Sequence, residues 1–148
     1  MGDGSRGAVW FGASGFELLS VHDDEDGLVL EVETSVGVVG CLGCGTRGRA
    51  KDRRWVTLAD TPVGGTSVTV RWRKRIWSCP ETECVIKTWT EQASLAAPRQ
   101  VITARAQRWA VDQVAAVEGS VASLARQLRV TWSTVWAAVV RNGRDPCR

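Results

Sequence analysis

The sequence predicts an α+β chain, a strand-rich zinc-ribbon-like module followed by a helical helix-turn-helix module. Three observations predict it: alternating apolar and polar residues in the first half, two close cysteine pairs flanking the strongest alternation, and helical periodicity after Pro98. The 148 residues, 44% hydrophobic and 24% charged, suit one ordinary domain or two small ones and exclude a disordered polymer. The longest apolar run, Val135 to Val140, is far shorter than the ~20 residues that cross a bilayer. Met1 to Phe11 has one Arg and no secretory core, so no membrane partner and a cytoplasmic location are expected.

Phe16 to Val21 and Leu28 to Glu33 read as two strands joined by a turn over His22 to Gly27, with the acids of that turn exposed to water. Thr61 to Gly65 is a turn signal. Ser67 to Trp77 then alternates, with Val68, Val70, Trp72, Lys74 and Ile76 on one face and Thr69, Arg71, Arg73, Arg75 and Trp77 on the other. The second face is a basic ladder: three arginines at period two span roughly 13 Å, a spacing suited to following a phosphate backbone. Charge partition agrees with this. Residues 1–40 balance to −7, while residues 41–148 balance to +10 and owe most of their cations to arginine, which favours planar contact with phosphate or guanine.

Cys41 and Cys44 form one pair, Cys79 and Cys84 a second, with thirty-four residues between the pairs. Each spacing can place two thiolates on one metal, and the four complete a tetrahedral structural site with no open position for catalysis. One structural zinc ion is therefore expected. A CxxC thiol redox pair is the functional alternative and disulfides the structural one; the odd cysteine, Cys147, is left over. Zinc would fix the strand ladder relative to the helices, so chelation is expected to unfold the first module and abolish binding.

Arg99 to Val117 reads as a helix burying Val101, Ala104, Val111, Val114 and Ala115, with Gly119 ending it. Leu124, Ala125 and Leu128 form the apolar edge of a second helix. Thr131 caps a third, which turns Val135, Ala138 and Val139 inward and Trp132, Ser133, Trp136, Ala137 and Arg141 outward. This is the phrasing of a helix-turn-helix, although Arg129 holds the corner where Gly is usual. The organisation expected is residues 1–40 as strands packing on the ribbon, 41–97 as the ribbon, 98–142 as the helical module and 143–148 as a tail. Arg71, Arg73 and Arg75 are candidate phosphate contacts. Trp132, Ser133, Thr134, Trp136 and Arg141 are candidate contacts to double-stranded DNA in the major groove.

The order of these motifs resembles the N-terminal zinc-finger region of bacterial insertion-sequence transposases of the ISL-three type. The resemblance rests on the first cysteine pair, R-R-W-V-T-L-A-D-T-P-V-G-G at 53–65, V-T-V-R-W-R-K-R-I-W-S-C-P-E-T-E-C at 68–84 and K-T-W-T-E at 87–91, followed by the helix-turn-helix. It implies that Cys41, Cys44, Cys79 and Cys84 hold zinc and that residues 120–141 help recognise the terminal inverted repeats of a transposon. It also implies a bacterial, nucleoid-associated protein. Such transposases follow these modules with a nuclease-type catalytic domain, whereas here the acids beyond Cys84 are Glu91, Asp112, Glu118 and Asp145, scattered over different elements. No strand-transfer activity and no catalytic residue are expected of this chain, which reads as a truncated, frameshifted or cloned portion. A stand-alone regulator or repressor of transposition is the alternative within DNA binding, a protein-interaction zinc module another, and homodimer formation stays open. No small-molecule substrate is expected.

Overall fold

The computed structural model describes residues 15–35, 37–116 and 120–143. Five strands come first: β1 (Phe16–Asp24), β2 (Gly27–Thr34), β3 (Arg49–Val63), β4 (Thr66–Ser78) and β5 (Thr88–Thr90). Three helices follow: α1 (Ala104–Ala115), α2 (Val121–Leu128) and α3 (Trp132–Gly143). The strands make one sheet in the order β1-β2-β4-β3, with β5 pairing antiparallel to the end of β4. β1–β2 and β3–β4 are antiparallel hairpins, and β2 runs parallel to β4, which makes β4 the central strand. Gly27, at φ 133°, must be glycine, because a Cβ there would collide with the Ser67 carbonyl oxygen of the neighbouring hairpin.

Alternation in β2 and β4 sends Leu30, Val32, Val68, Val70 and Trp72 to one face, where they pack with Leu58 of β3 and are covered by Leu95 and Ala96. Phe16 meets Trp72 edge-on at 5.3 Å. A second core gathers Ile102, Ala106, Ala110, Leu124, Ala125, Leu128 and Val135 between the helices. The two cores meet at β3. The Ala59 N–H donates to Val101 O at 2.8 Å and the Thr103 N–H donates to Ala59 O at 2.9 Å, so residues 101–103 extend the sheet before α1 begins. Buried Asp60 accepts from Thr103 Oγ1 at 2.7 Å and from Arg105 Nε at 2.9 Å. Ser67 Oγ donates to Gln127 O at 2.6 Å, tying α2 to the β3–β4 turn.

Three expectations change. The strand β3 was legible only as the turn at 61–65; it runs through Thr61 and Pro62, and the turn proper is Gly64-Gly65, both at positive φ. Pro62 fits within β3 because the β3–β4 register shifts between Asp60 and Val63. The first helix begins at Ala104, capped by the Thr103 hydroxyl, and buries Ala106, Gln107 and Ala110, so its inner face is rotated from the expected one; Val101 and Ala115 are exposed. Gly119, Cys147 and the tail from residue 144 onward lie outside the described residues.

Candidate metal centre and nucleic-acid interface

β3 starts just after one cysteine pair and β4 ends just before the other, so their antiparallel pairing carries both to the same end of the sheet. In the first knuckle the Cys41 N–H donates to Thr46 O at 2.8 Å and the Gly45 N–H to Cys41 O at 2.9 Å. In the second the Cys79 N–H donates to Lys87 O at 3.0 Å. The knuckles touch closely: a Cβ at Gly43 would lie 2.9 Å from Ile86 Cγ1 and 3.3 Å from Cys84 Sγ. All four sulfurs lie within 4.8 Å of one another, with Cys41–Cys84 at 3.7 Å and Cys44–Cys79 at 3.6 Å.

Those distances discriminate between chemistries. A disulfide needs about 2.05 Å, and a CxxC redox couple would pair Cys41 with Cys44 alone, whereas here each sulfur of the first knuckle also lies against one of the second. A tetrahedron of sulfurs about 2.3 Å from a zinc ion has edges of about 3.8 Å, close to the separations of these two cross-knuckle pairs. Hydrogen bonds from the Thr46 hydroxyl and amide hold the Cys44 thiol down at about 6. The Cys44 N–H lowers Cys41, while burial pushes Cys79 up to about 12. Crowded thiols resist ionising together, and a divalent cation removes that conflict. Among the described residues these cysteines are the group of potential ligands close enough to hold a metal ion.

The helix-turn-helix lies at the other end of the β3–β4 hairpin. Ser120 caps α2 through a 3.1 Å bond from the Ser123 N–H, and Thr131 Oγ1 accepts from the Thr134 N–H at 3.2 Å to cap α3. Arg129 takes the left-handed corner at φ 58°, with an ion pair of 2.7 Å to Asp26. Val135 and Ala138 are buried. Trp132 and Trp136 are 53% and 47% exposed and stack on each other at 5.6 Å. Ser133 and Ala137 are exposed beside them, and the Thr134 hydroxyl lies 2.8 Å from that of Thr131. Arg141, by contrast, turns back onto the body of the protein and donates to Gln100 Oε1 at 3.0 Å and Gln107 Oε1 at 3.2 Å.

The arginine ladder of β4 is not a uniform outward row. Arg73 is exposed; Arg71 is half-buried and bonds Glu31 at 3.0 Å. Arg75 is buried, donating to the carbonyl and hydroxyl of Thr34, with Glu33 at 3.9 Å. The added strand β5 covers its end of β4, and Glu91 Oε1 accepts the Arg75 N–H at 2.7 Å. Trp55 was missed by sequence reasoning. It is 41% exposed on this same open face, with the Arg71 guanidinium 4.6 Å and that of Arg73 5.9 Å from its ring centroid. Its signal was R-R-W at 53–55, hidden while β3 was unrecognised.

Residues 37–84 match the family described as the zinc-finger of transposase IS204/IS1001/IS1096/IS1165. Residues 91–141 match the helix-turn-helix domain of transposase family ISL3. No curated protein and no solved structure matches the chain significantly. The matched segments are DNA-binding and metal-binding modules, and together they include both structural features described above.

Proposed function

Because the chain carries the zinc-finger and helix-turn-helix modules of ISL3-family transposases, we propose that it binds the terminal inverted repeats of an insertion sequence, serving as the recognition part of a transposase in the bacterial cytoplasm. One observation carries the reading: a capped, left-handed helix-turn-helix corner presents two exposed tryptophans on a segment, 120–143, that holds Arg126, Arg129 and Arg141 and no acid. In this reading α3 lies in the major groove. Trp132, Ser133 and Trp136 face the bases, the α3 N-terminus with Thr134 lies toward a phosphate, and Arg73 with Arg71 and Trp55 contacts the backbone alongside. Arg75 and Arg141 act as supports, fixing β4 to β2 and α3 to α1. One zinc ion sits on Cys41, Cys44, Cys79 and Cys84 in a structural role.

These residues supply recognition and not strand transfer. Among the described ones the carboxylates do not gather into a metal-holding group, and Glu91 is engaged by Thr34 and the Arg75 amide. The test is binding of the zinc-loaded chain to duplexes carrying the inverted repeats that flank its gene, against scrambled duplexes at fixed salt. Preference for the repeats by about a thousandfold or more is expected of a specific binder. Equal affinity for both would overturn the reading.

A further inference from the structure

On the sheet face away from Trp55, residues 96–101 pass over β3 and β4 and leave a cavity of about 350 Å³. Leu58, Val56, Trp72, Ala96 and Pro98 make its apolar wall, and its charged lining residues are Arg54, Lys74 and Arg99, with no carboxylate. Lys74 faces Arg54 across the β3–β4 ladder and is only 7% exposed. Its Nζ lies 3.5 Å from Gln92 Oε1 and 4.3 Å from the Trp72 ring centroid. Among the described residues none of the three cations makes an ion pair. Glu91, the acid that acts on Lys74 electrostatically, already accepts from Thr34 Oγ1 and the Arg75 N–H, each at 2.7 Å. Among the described residues the buried Trp72 Nε1–H has no hydrogen-bond partner, and Arg99 holds a strained left-handed backbone at φ 66°.

A buried ammonium with no carboxylate in ion-pair contact, an orphan donor beside it and two guanidinium groups at the rim leave an unmet demand for an anion. We propose that this cavity is a phosphate-binding site, in which Lys74 holds the anion from within and Arg54 and Arg99 close over it. Gln100 lines the same cavity and accepts from Arg141 of α3, so the site adjoins the helix-turn-helix. The phosphate could be that of a free phosphorylated molecule or one of the DNA backbone, and the experiment separates the two.

The zinc-loaded full chain is titrated calorimetrically with inorganic phosphate at low chloride. Saturable binding is expected, lost in Lys74→Met and weakened about tenfold in Arg54→Gln, as for one charged hydrogen-bond partner. It should persist in Lys51→Met, which removes one like charge from β3 outside the cavity. The salt dependence of duplex binding is then compared between wild type and Lys74→Met. A slope reduced by about one unit assigns the phosphate to DNA, and an unchanged slope assigns it to a free ligand. Binding of phosphate by Lys74→Met as by wild type, equal loss in Lys51→Met, or no saturable binding together with an unchanged slope overturns the site. Should Lys74→Met fail to fold, the exposed Arg54→Gln variant decides alone: phosphate affinity equal to wild type refutes the proposal.

Discussion

Arg129 and Lys74 each occupy a place their chemistry disfavours, and each makes a sharp prediction. At the α2–α3 corner the φ of 58° costs a side chain about 1 kcal/mol relative to glycine. The exposed ion pair with Asp26 returns no more than about 1 kcal/mol. Arg129→Gly should therefore leave stability unchanged or raise it by up to about 1 kcal/mol, while Arg129→Val, β-branched in the same conformation, should lower it by at least about 1 kcal/mol. Urea denaturation of the two variants checks the order. Burial lowers the Lys74 amine below its ordinary 10.5, so on folding it releases its proton at a lower pH than the unfolded chain does. Between those two values the unfolded state binds more protons, and stability gains with rising pH. Lys74→Met should be neutral or stabilising by roughly 1 kcal/mol near neutral pH. That advantage over wild type should shrink as pH climbs toward 10.5; a gap that widens would contradict the assignment.

The elements differ in how plainly their sequences announced them. The helix-turn-helix was legible because the Thr131 cap and a helical period coincide at Leu124, Leu128, Thr131 and Val135, each local choice agreeing with the packing. β3 was not, because Arg49 to Arg54 is mostly exposed and carries no alternation; its strand form comes from pairing with β4. The inner face of α1 was misplaced because alanines occur on two opposite sides of it, and the choice falls to Ala106 and Ala110, which fit against the other helices. Arg75 looked like a neighbour of Arg73 by period alone, and only the β2 and β5 partners reveal its burial. On α3 the outward residues Trp132, Ser133, Trp136 and Ala137 include no amide or guanidinium to bond adenine or guanine bidentately. Apolar contact with thymine methyl groups suits them better. Replacing contacted thymines by uracil in the bound duplex should weaken binding about fourfold per methyl, the worth of one buried carbon. Trp132→Ala with Trp136→Ala should erase the difference between thymine and uracil duplexes in a gel-shift assay without lowering the melting temperature.

At the scale of the whole molecule, the metal cluster and the helix-turn-helix occupy opposite ends of one hairpin, about 40 Å apart along β4. The core of Leu30, Val32, Val70 and Trp72 lies between them and includes none of the cysteines. Chelation should consequently disorder the knuckles and the adjoining ends of β3 and β4, and not the whole first module as the sequence alone suggests, leaving the helical circular dichroism signal largely intact. Hydrogen exchange would register early loss of protection at Cys41, Cys79 and Cys84 amides and late loss at Leu58 and Val70. Simultaneous loss of both would show that the cysteines hold the entire fold. The backbone bonds between Ala59 and residues 101–103, backed by Asp60, have a different consequence. They fasten the start of α1 directly to the sheet. If α3 and the arginine face of β4 engage one duplex as proposed, a target whose spacing departs from theirs must itself bend or unwind to meet them, and sequences that deform easily will be favoured at base pairs the protein never touches.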